Sequence, residues 1–355
     1  MKIKQIRAYI RNLALTRPYT IASRTISDVE NVFLEVELEN GMIGTGAANP
    51  APEVVGEGPE QTLANAHSSF FEELAGSDIR YFKQWIGTCQ HQFPNLPGTQ
   101  ALLDIALHDA FCQWLDIPVA AFYGQYWKEL PTSVTIGIMT AQDTIQTAEE
   151  YKKMGFRVLK VKLGLDLEED LERLRKLREV FGTYFTVRVD ANQGYSLPEL
   201  QRFLKAVHSL DIELVEQPLP VGHESDLLVL SADERRLLAA DESLKDASYA
   251  LKWAQTPRPF GIYNIKLMKC GGITGGLDIA RIAQAAGIDL FWGCNDESIV
   301  SISAALHTAF ASPNTRYLDL DGSLDLAEDV VSGGFQINDG LLSLAPGSGL
   351  GLKRI

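Results

Sequence analysis

The chain is expected to be an α/β protein in which a small N-terminal α+β domain precedes a barrel of parallel strands and return helices. Three observations carry that expectation. From residue 133 onward, eight short, apolar, β-branched runs recur about every 25 residues, with helical segments between them. Before residue 125 the pattern is different, with extended runs paired across an Asn-Gly turn. Finally, Lys162, Asp190, Glu216, Asp241 and Lys266 sit at the ends of consecutive runs, at steps of 28, 26, 25 and 25 residues.

Taken in order, residues 2–10 read as a strand, and 32–38 continues across Asn40-Gly41 into 42–46 as a hairpin, because both turn residues tolerate positive φ. Helical patterning follows over 59–74 and 99–115. In the second of these, Leu102, Ile105, Ala106, Asp109 and Cys112 or Gln113 share a stripe with an apolar middle, and Pro118 closes the region. Residues 1–125 therefore form the first domain. Strands are expected at 133–138, 158–162, 185–190, 212–216, 237–241, 263–266, 289–293 and 316–321, with helices such as 141–154, 167–181 and 197–210 between them. A Rossmann sheet fits less well, since no GxGxxG follows a first strand and eight units exceed its usual six. The barrel occupies 126–322, and the Gly-rich segment 323–355 is expected to pack back on the first domain.

Composition narrows the function classes. Net charge is −14 over 355 residues, which argues against a nucleic-acid surface and favours the approach of cationic substrates. Neither a signal-peptide core nor a run of about 18 apolar residues is present, so no membrane partner is expected. The four scattered cysteines suit reduced thiols in a cytoplasmic enzyme, and the six histidines show no zinc spacing. A homo-oligomer stays open.

A charge at the end of a buried strand is costly unless it faces a polar cavity or a metal. In a barrel, the carboxyl ends of the strands converge on one mouth, so Asp190, Glu216 and Asp241 would share one space. Three carboxylates are hard oxygen ligands suited to Mg²⁺. Lys162 and Lys266 would face each other across it, which suits removal of a proton from one face of a carbon and delivery to the other. A lysine of pKa about 10.4 is a poor base at neutral pH. Lys160, two residues away on the same side of the strand, and a bound dication would both favour the neutral amine of Lys162.

The segments KVKLG (160–164), RVDANQGY (188–195), VEQPL (215–219), ADES (240–243) and NIKLMKCGG (264–272) resemble the muconate-lactonising-enzyme subgroup of the enolase superfamily, over essentially the whole chain. The resemblance implies a (β/α)7β modified TIM barrel under an N-terminal α+β capping domain. It also implies one Mg²⁺ on Asp190, Glu216 and Asp241, with Lys162 and Lys266 as acid/base residues. The shared chemistry is abstraction of a proton α to a carboxylate, with the resulting enediolate stabilised by the metal and Lys160. Asn192 and Gln193 are candidates for supporting roles, and Glu242 should alternate to the far side of its strand.

On the last strand, RYLDLDGS places Asp319 and Asp321 two apart and so on one strand face. A DxD pair there resembles the dipeptide epimerases, in which it holds the substrate α-ammonium group. Arg24 in the capping-domain loop, Thr135 on the first barrel strand and Asp296 after the seventh complete the substrate-binding candidates. Asp296 departs from the neutral residue expected of L-Ala-D/L-Glu epimerases. It leans the preference towards dipeptides with basic side chains, while apolar Ala51 and Pro52 keep hydrophobic ones open; a helix N-cap is its plainer reading. The reaction expected is epimerisation of the C-terminal α-carbon of a dipeptide. The alternatives are a muconate cycloisomerase or o-succinylbenzoate synthase-like lyase on the same fold and, more remotely, a Schiff-base aldolase.

Overall fold

The structure, a computed structural model, describes residues 1–20 and 25–355. Strands β1 (Ile3–Thr20), β2 (Thr25–Leu38) and β3 (Ile43–Ala48) form an antiparallel sheet in that order. At the β2–β3 turn, Gly41 N–H donates to Leu38 O (2.9 Å) and Leu38 N–H to Met42 O (2.8 Å). Only Gly41 adopts positive φ, at +85°; Asn40 instead accepts from Met42 N–H through its side chain.

The 18-residue helix Pro97–Trp114 lies against this sheet, and its shape explains why the sequence stripe was incomplete. It is buried on nearly every side, because its other face packs on the barrel helices Leu267–Cys270 and Ile273–Ala286. Sheet and helix approach so closely that a Cβ at Gly46 would lie 2.1 Å from Leu102 O. Asp104 completes the second face by accepting from Ile273 N–H (2.7 Å) at the start of the neighbouring helix. The expected helix over 59–74 is two pieces, Pro59–Ala66 and Ser69–Glu72. The break at extended Ser68 lets the adjacent Phe70 and Phe71 both enter the core beside Phe93.

After β4 (Glu129–Pro131), eight parallel strands run in consecutive order: β5 (Val134–Ile136), β6 (Val158–Lys162), β7 (Thr186–Asp190), β8 (Ile212–Glu216), β9 (Leu238–Ala240), β10 (Ile262–Ile265), β11 (Asp289–Trp292) and β12 (Thr315–Leu318). Ser133 N–H donates to Leu318 O (2.9 Å), closing the last strand onto the first. Helices occupy the seven connections, and β12 has none after it, so the barrel is (β/α)7β. The chain ends in four short strands, β13 (Val331–Gly333), β14 (Phe335–Asn338), β15 (Leu341–Leu344) and β16 (Leu352–Arg354). Of these, β15 pairs with β4 at the barrel base.

The base of the barrel is plugged. Leu214, Ala239, Ile262 and Phe291 form a small apolar cluster there. Arg188 spans the axis beside it, donating to Leu318 O (2.7 Å) and Glu213 Oε2 (2.7 Å). The charged residues at the strand ends lie at the opposite, carboxyl end. Among the described residues no helix is long and apolar enough to cross a membrane.

One buried carboxylate ties three remote segments together. Asp109 accepts from Thr45 N–H (2.9 Å) on β3, Gln113 Nε2 (2.9 Å) and Leu350 N–H (2.8 Å) in the tail. Asp109→Ala leaves two buried backbone donors unpaired and is expected to lower stability by about 3 kcal/mol in urea unfolding. Burial raises the Asp109 pKa from 3.8 to about 6, against the pull of its hydrogen bonds. Its ionised form is thus the disfavoured one in the folded state, so wild-type stability carries a component that falls as pH rises between about 4 and 6. The variant should lack that slope.

Candidate active site

The register of the barrel sets the charges side by side. Lys162, the last residue of β6, pairs with Asp190 of β7, and Asp190 pairs with Glu216 of β8. Asp241 directly follows β9 and Lys266 directly follows β10. Asp190 and Glu216 are fully buried, and Lys160 and Asp241 are each 3% exposed, so each charge needs a partner. Lys160 Nζ supplies most of them, at 3.2 Å from Asp190 Oδ2, 2.8 Å from Glu216 Oε2 and 2.9 Å from Asp319 Oδ2. On one side, Lys162 Nζ lies 2.7 Å from Asp190 Oδ2 and donates to Asn192 Oδ1 (2.9 Å). On the other, Lys266 Nζ lies 3.0 Å from Asp241 Oδ2.

These pairings divide the carboxylates. Burial pushes all three upward, but the Lys162 and Lys160 ammoniums bring Asp190 down to about 2, and Lys266 and Lys269 hold Asp241 well below the usual range. At Glu216, burial and the Asp190 charge win over Lys160, raising it to about 8. Burial disfavours the Lys266 ammonium, yet Asp241 outweighs it and holds the group above its ordinary value. Buried Lys269 goes the other way, its desolvation exceeding the pull of Asp241.

Among the described residues no three acidic, cysteine or histidine side chains close on a single point, because the ammonium of Lys160 stands between Asp190 and Glu216. The donor set nevertheless fits a small hard cation. Glu216 Oε2 is buried and accepts no hydrogen bond among the described residues, Lys160 lying near it but off hydrogen-bond geometry. Asn264 Nδ2 fixes the other oxygen of that carboxylate (2.6 Å), aiming the unbonded one into the space shared with Asp190. Three carboxylates at neighbouring strand ends, one with an unbonded buried oxygen, are hard donors of the kind that suits Mg²⁺.

The remaining sequence candidates are placed differently from one another. Strand β12 ends at Leu318, so Asp319 and Asp321 lie just beyond it, and both turn towards the first barrel strand, to Ser133 and Thr135. Asp319 turns into the barrel, where it accepts from Ser133 Oγ (2.6 Å) and Lys160. Asp321 stays half-buried on the rim and accepts from Thr135 N–H (2.8 Å), which brings Thr135 to the same edge. Burial and the Asp319 charge raise Asp321 to about 7, while Lys160 keeps Asp319 low against burial. Asp296 is not a helix N-cap: Ser298 caps Ile299–Phe310, and the Asp296 carbonyl accepts from Asn49 Nδ2 (2.6 Å). Arg24 lies outside the described residues.

A cavity of about 140 Å³ opens beside Lys266. Asn192, Asp241, Glu242, Lys266, Lys269 and Asn295 line its barrel side, and Ala51, Val54, Val55 and Met268 line the rest. Glu242 faces this cavity, contrary to the alternation expected of it, because β9 already ends at Ala240. The loop that forms the roof is anchored by Glu57, a buried carboxylate accepting from Gly98 N–H (2.6 Å), Thr99 N–H (2.9 Å) and Thr62 Oγ1 (2.8 Å). Sequence reading passed over Lys269 and Asn264. Lys269 donates to Asp241 O (2.6 Å) and also contacts Oδ1 of that residue. Their positions carried a signal, since Asn264 is two residues before Lys266 on the same strand face and Lys269 is one helical turn after it.

Comparison with known proteins agrees with this geometry. Residues 5–124 match the model for the mandelate racemase/muconate lactonizing enzyme N-terminal domain, and residues 143–354 match the enolase C-terminal domain-like model. The chain belongs to the enolase superfamily. An L-Lys-D/L-Arg epimerase of Desulforapulum autotrophicum is 49% identical over 355 residues, covering all of both chains. The structure of a dipeptide epimerase from Methylococcus capsulatus, complexed with Mg and the dipeptide L-Arg-D-Lys, matches at TM-score 0.97 and 46% identity over 99% of each chain. An L-Ala-D/L-Glu epimerase of Bacillus subtilis is 31% identical, over 99% of this chain and 97% of its own.

For this enolase-superfamily site, Glu216→Gln is the mildest probe of cation binding. It keeps the acceptor for Asn264 and leaves Lys160 with Asp190 and Asp319. The variant should fold, and titration calorimetry with Mg²⁺ should show affinity at least about tenfold weaker, the scale of one lost charge-assisted contact.

Proposed function

We propose that this protein is a Mg²⁺-dependent dipeptide epimerase that inverts the α-carbon of the C-terminal residue, with a preference for dipeptides bearing cationic side chains. The observation that carries the reading is the placement of Lys162 and Lys266 on opposite sides of a buried row of three carboxylates. Two ammonium-bearing arms on either side of one reaction centre suit proton removal from one face and delivery to the other.

Asp190, Glu216 and Asp241 would hold the Mg²⁺. When bound, it supplies Lewis-acid stabilisation of the charge developing on the substrate carboxylate and offsets the carboxylate field that keeps Lys266 protonated. The remaining steps belong to the chain. One lysine, as the neutral amine, takes the α-proton, and the C–H electron pair moves into the adjoining carboxylate group. The opposite lysine, as the ammonium, gives a proton to the other face, so the proton count on the enzyme is unchanged. The roles reverse for the other stereoisomer.

Lys160 stands within 3.2 Å of three carboxylates and lends positive charge at the same centre. Asp321 is the carboxylate placed to receive a substrate α-ammonium, being half-buried on the rim beside Thr135. Asp319, closed on Ser133 and Lys160, acts through Lys160. A cationic side chain is supported by the net charge of −14, by Asp296 at the seventh-strand loop and by the 49% identity with an L-Lys-D/L-Arg epimerase. The four free cysteines suit a reducing, cytoplasmic setting.

Single-deuterium incorporation from D₂O is the direct test. With Mg²⁺, wild type should exchange the C-terminal α-proton of Lys- and Arg-containing dipeptides, and chelation should abolish exchange until Mg²⁺ is restored. Lys162→Ala and Lys266→Ala should each lower kcat for epimerisation by roughly 10²- to 10⁴-fold. Each should also retain exchange with only one C-terminal stereoisomer. Exchange of both stereoisomers in both variants would remove the two-lysine mechanism.

A further inference from the structure

We propose that Asn295 is a specificity-determining residue, whose side-chain carbonyl receives the cationic end of the substrate side chain. The proposal rests on the dipeptide-epimerase reading and names the contact behind its preference. Asn295 follows β11 and lines the cavity beside Lys266. Its amide has a defined orientation, because Nδ2 donates to Asn49 O (3.0 Å) in the capping segment and only the nitrogen can face that carbonyl. Oδ1 is therefore the edge left over, and no donor among the described residues meets it. A carbonyl oxygen accepts only, so it selects a group that brings N–H bonds.

The surrounding loop is held from three directions. Asn295 N–H donates to Glu297 Oε1 (2.7 Å), and Asn49 Nδ2 donates to Asp296 O (2.6 Å). Glu297 N–H donates to Gly322 O (3.2 Å), and Gly322 is itself so close that a Cβ there would lie 1.9 Å from Asn295 O. An acceptor held this firmly loses little entropy on binding. The roof over the same cavity is apolar at Ala51, Val54 and Val55. An apolar wall leading to a fixed acceptor matches a methylene stem ending in an ammonium or guanidinium.

The test compares a dipeptide ending in lysine with its norleucine counterpart, which has the same stem and no charge, on the full-length Mg²⁺-loaded enzyme. Asn295→Ala should lower kcat/KM for the lysine dipeptide by roughly 10- to 100-fold, mainly through KM, as expected for a lost hydrogen bond to a charged group. The norleucine dipeptide should change by less than about threefold. Asn295→Asp, which keeps an acceptor but loses the Asn49 bond, should retain the preference for lysine. Equal losses on both dipeptides in Asn295→Ala, or loss of the preference in Asn295→Asp, would show a merely structural role and overturn the proposal. Failure of wild type to exchange deuterium into any dipeptide would overturn the epimerase reading and this contact with it; exchange without the lysine preference would overturn this contact alone.

Discussion

Everything at the barrel mouth is arranged around the Lys160 ammonium, which is buried with three carboxylate partners. A charge this deep is tolerated only when compensated, and removing one partner of a buried pair leaves a cost of several kcal/mol. Lys160 thereby constrains three strands at once: β7 and β8 through Asp190 and Glu216, and the end of β12 through Asp319. Below it, Ser133 bonds Asp319, and Arg188 spans from Leu318 O to Glu213 at the base. The polar axis of the barrel is thus continuous from its base to the reacting centre. Lys162 and Lys266 can be more exposed because this inner set carries the burden of desolvation.

That arrangement also separates two kinds of lysine. Lys160 and Lys269 are closed in by carboxylate and carbonyl oxygens. Lys162 and Lys266 each have one carboxylate partner and an open side, with Lys162 side chain 30% exposed and Lys266 15%. A group that must gain and lose a proton needs that access. The difference arises from position along the strand, since Lys160 is one inward residue deeper than Lys162 on the same face of β6.

Much of this was legible in the sequence because barrel strands place chemistry at a fixed phase. Lys162, Asp190 and Glu216 end their strands where the periodic pattern puts them, and Asp241 and Lys266 fall one residue beyond. The alternation rule failed at Glu242, which faces the cavity because β9 stops early, whereas Asp319 and Asp321 keep neighbouring partners, Ser133 and Thr135, at different depths. The helix over Pro97–Trp114 showed a weak stripe because it is covered on two faces, by the sheet and by the barrel. Asn49 and Asn295 carried no signal at all. Their contact joins positions 246 residues apart, and neither residue type nor local spacing announces it.

The roof segment Ala51–Val55 is fastened at both ends by hydrogen bonds made outside it. Asn49 holds it at one end through the barrel loop, and Glu57 holds it at the other through the start of the helix Pro97–Trp114. Those fastenings do not involve the side chains between them. These residues form an exchangeable cassette: swapping three or four side chains there would re-tune what the enzyme accepts while the proton-transfer machinery beneath stays intact.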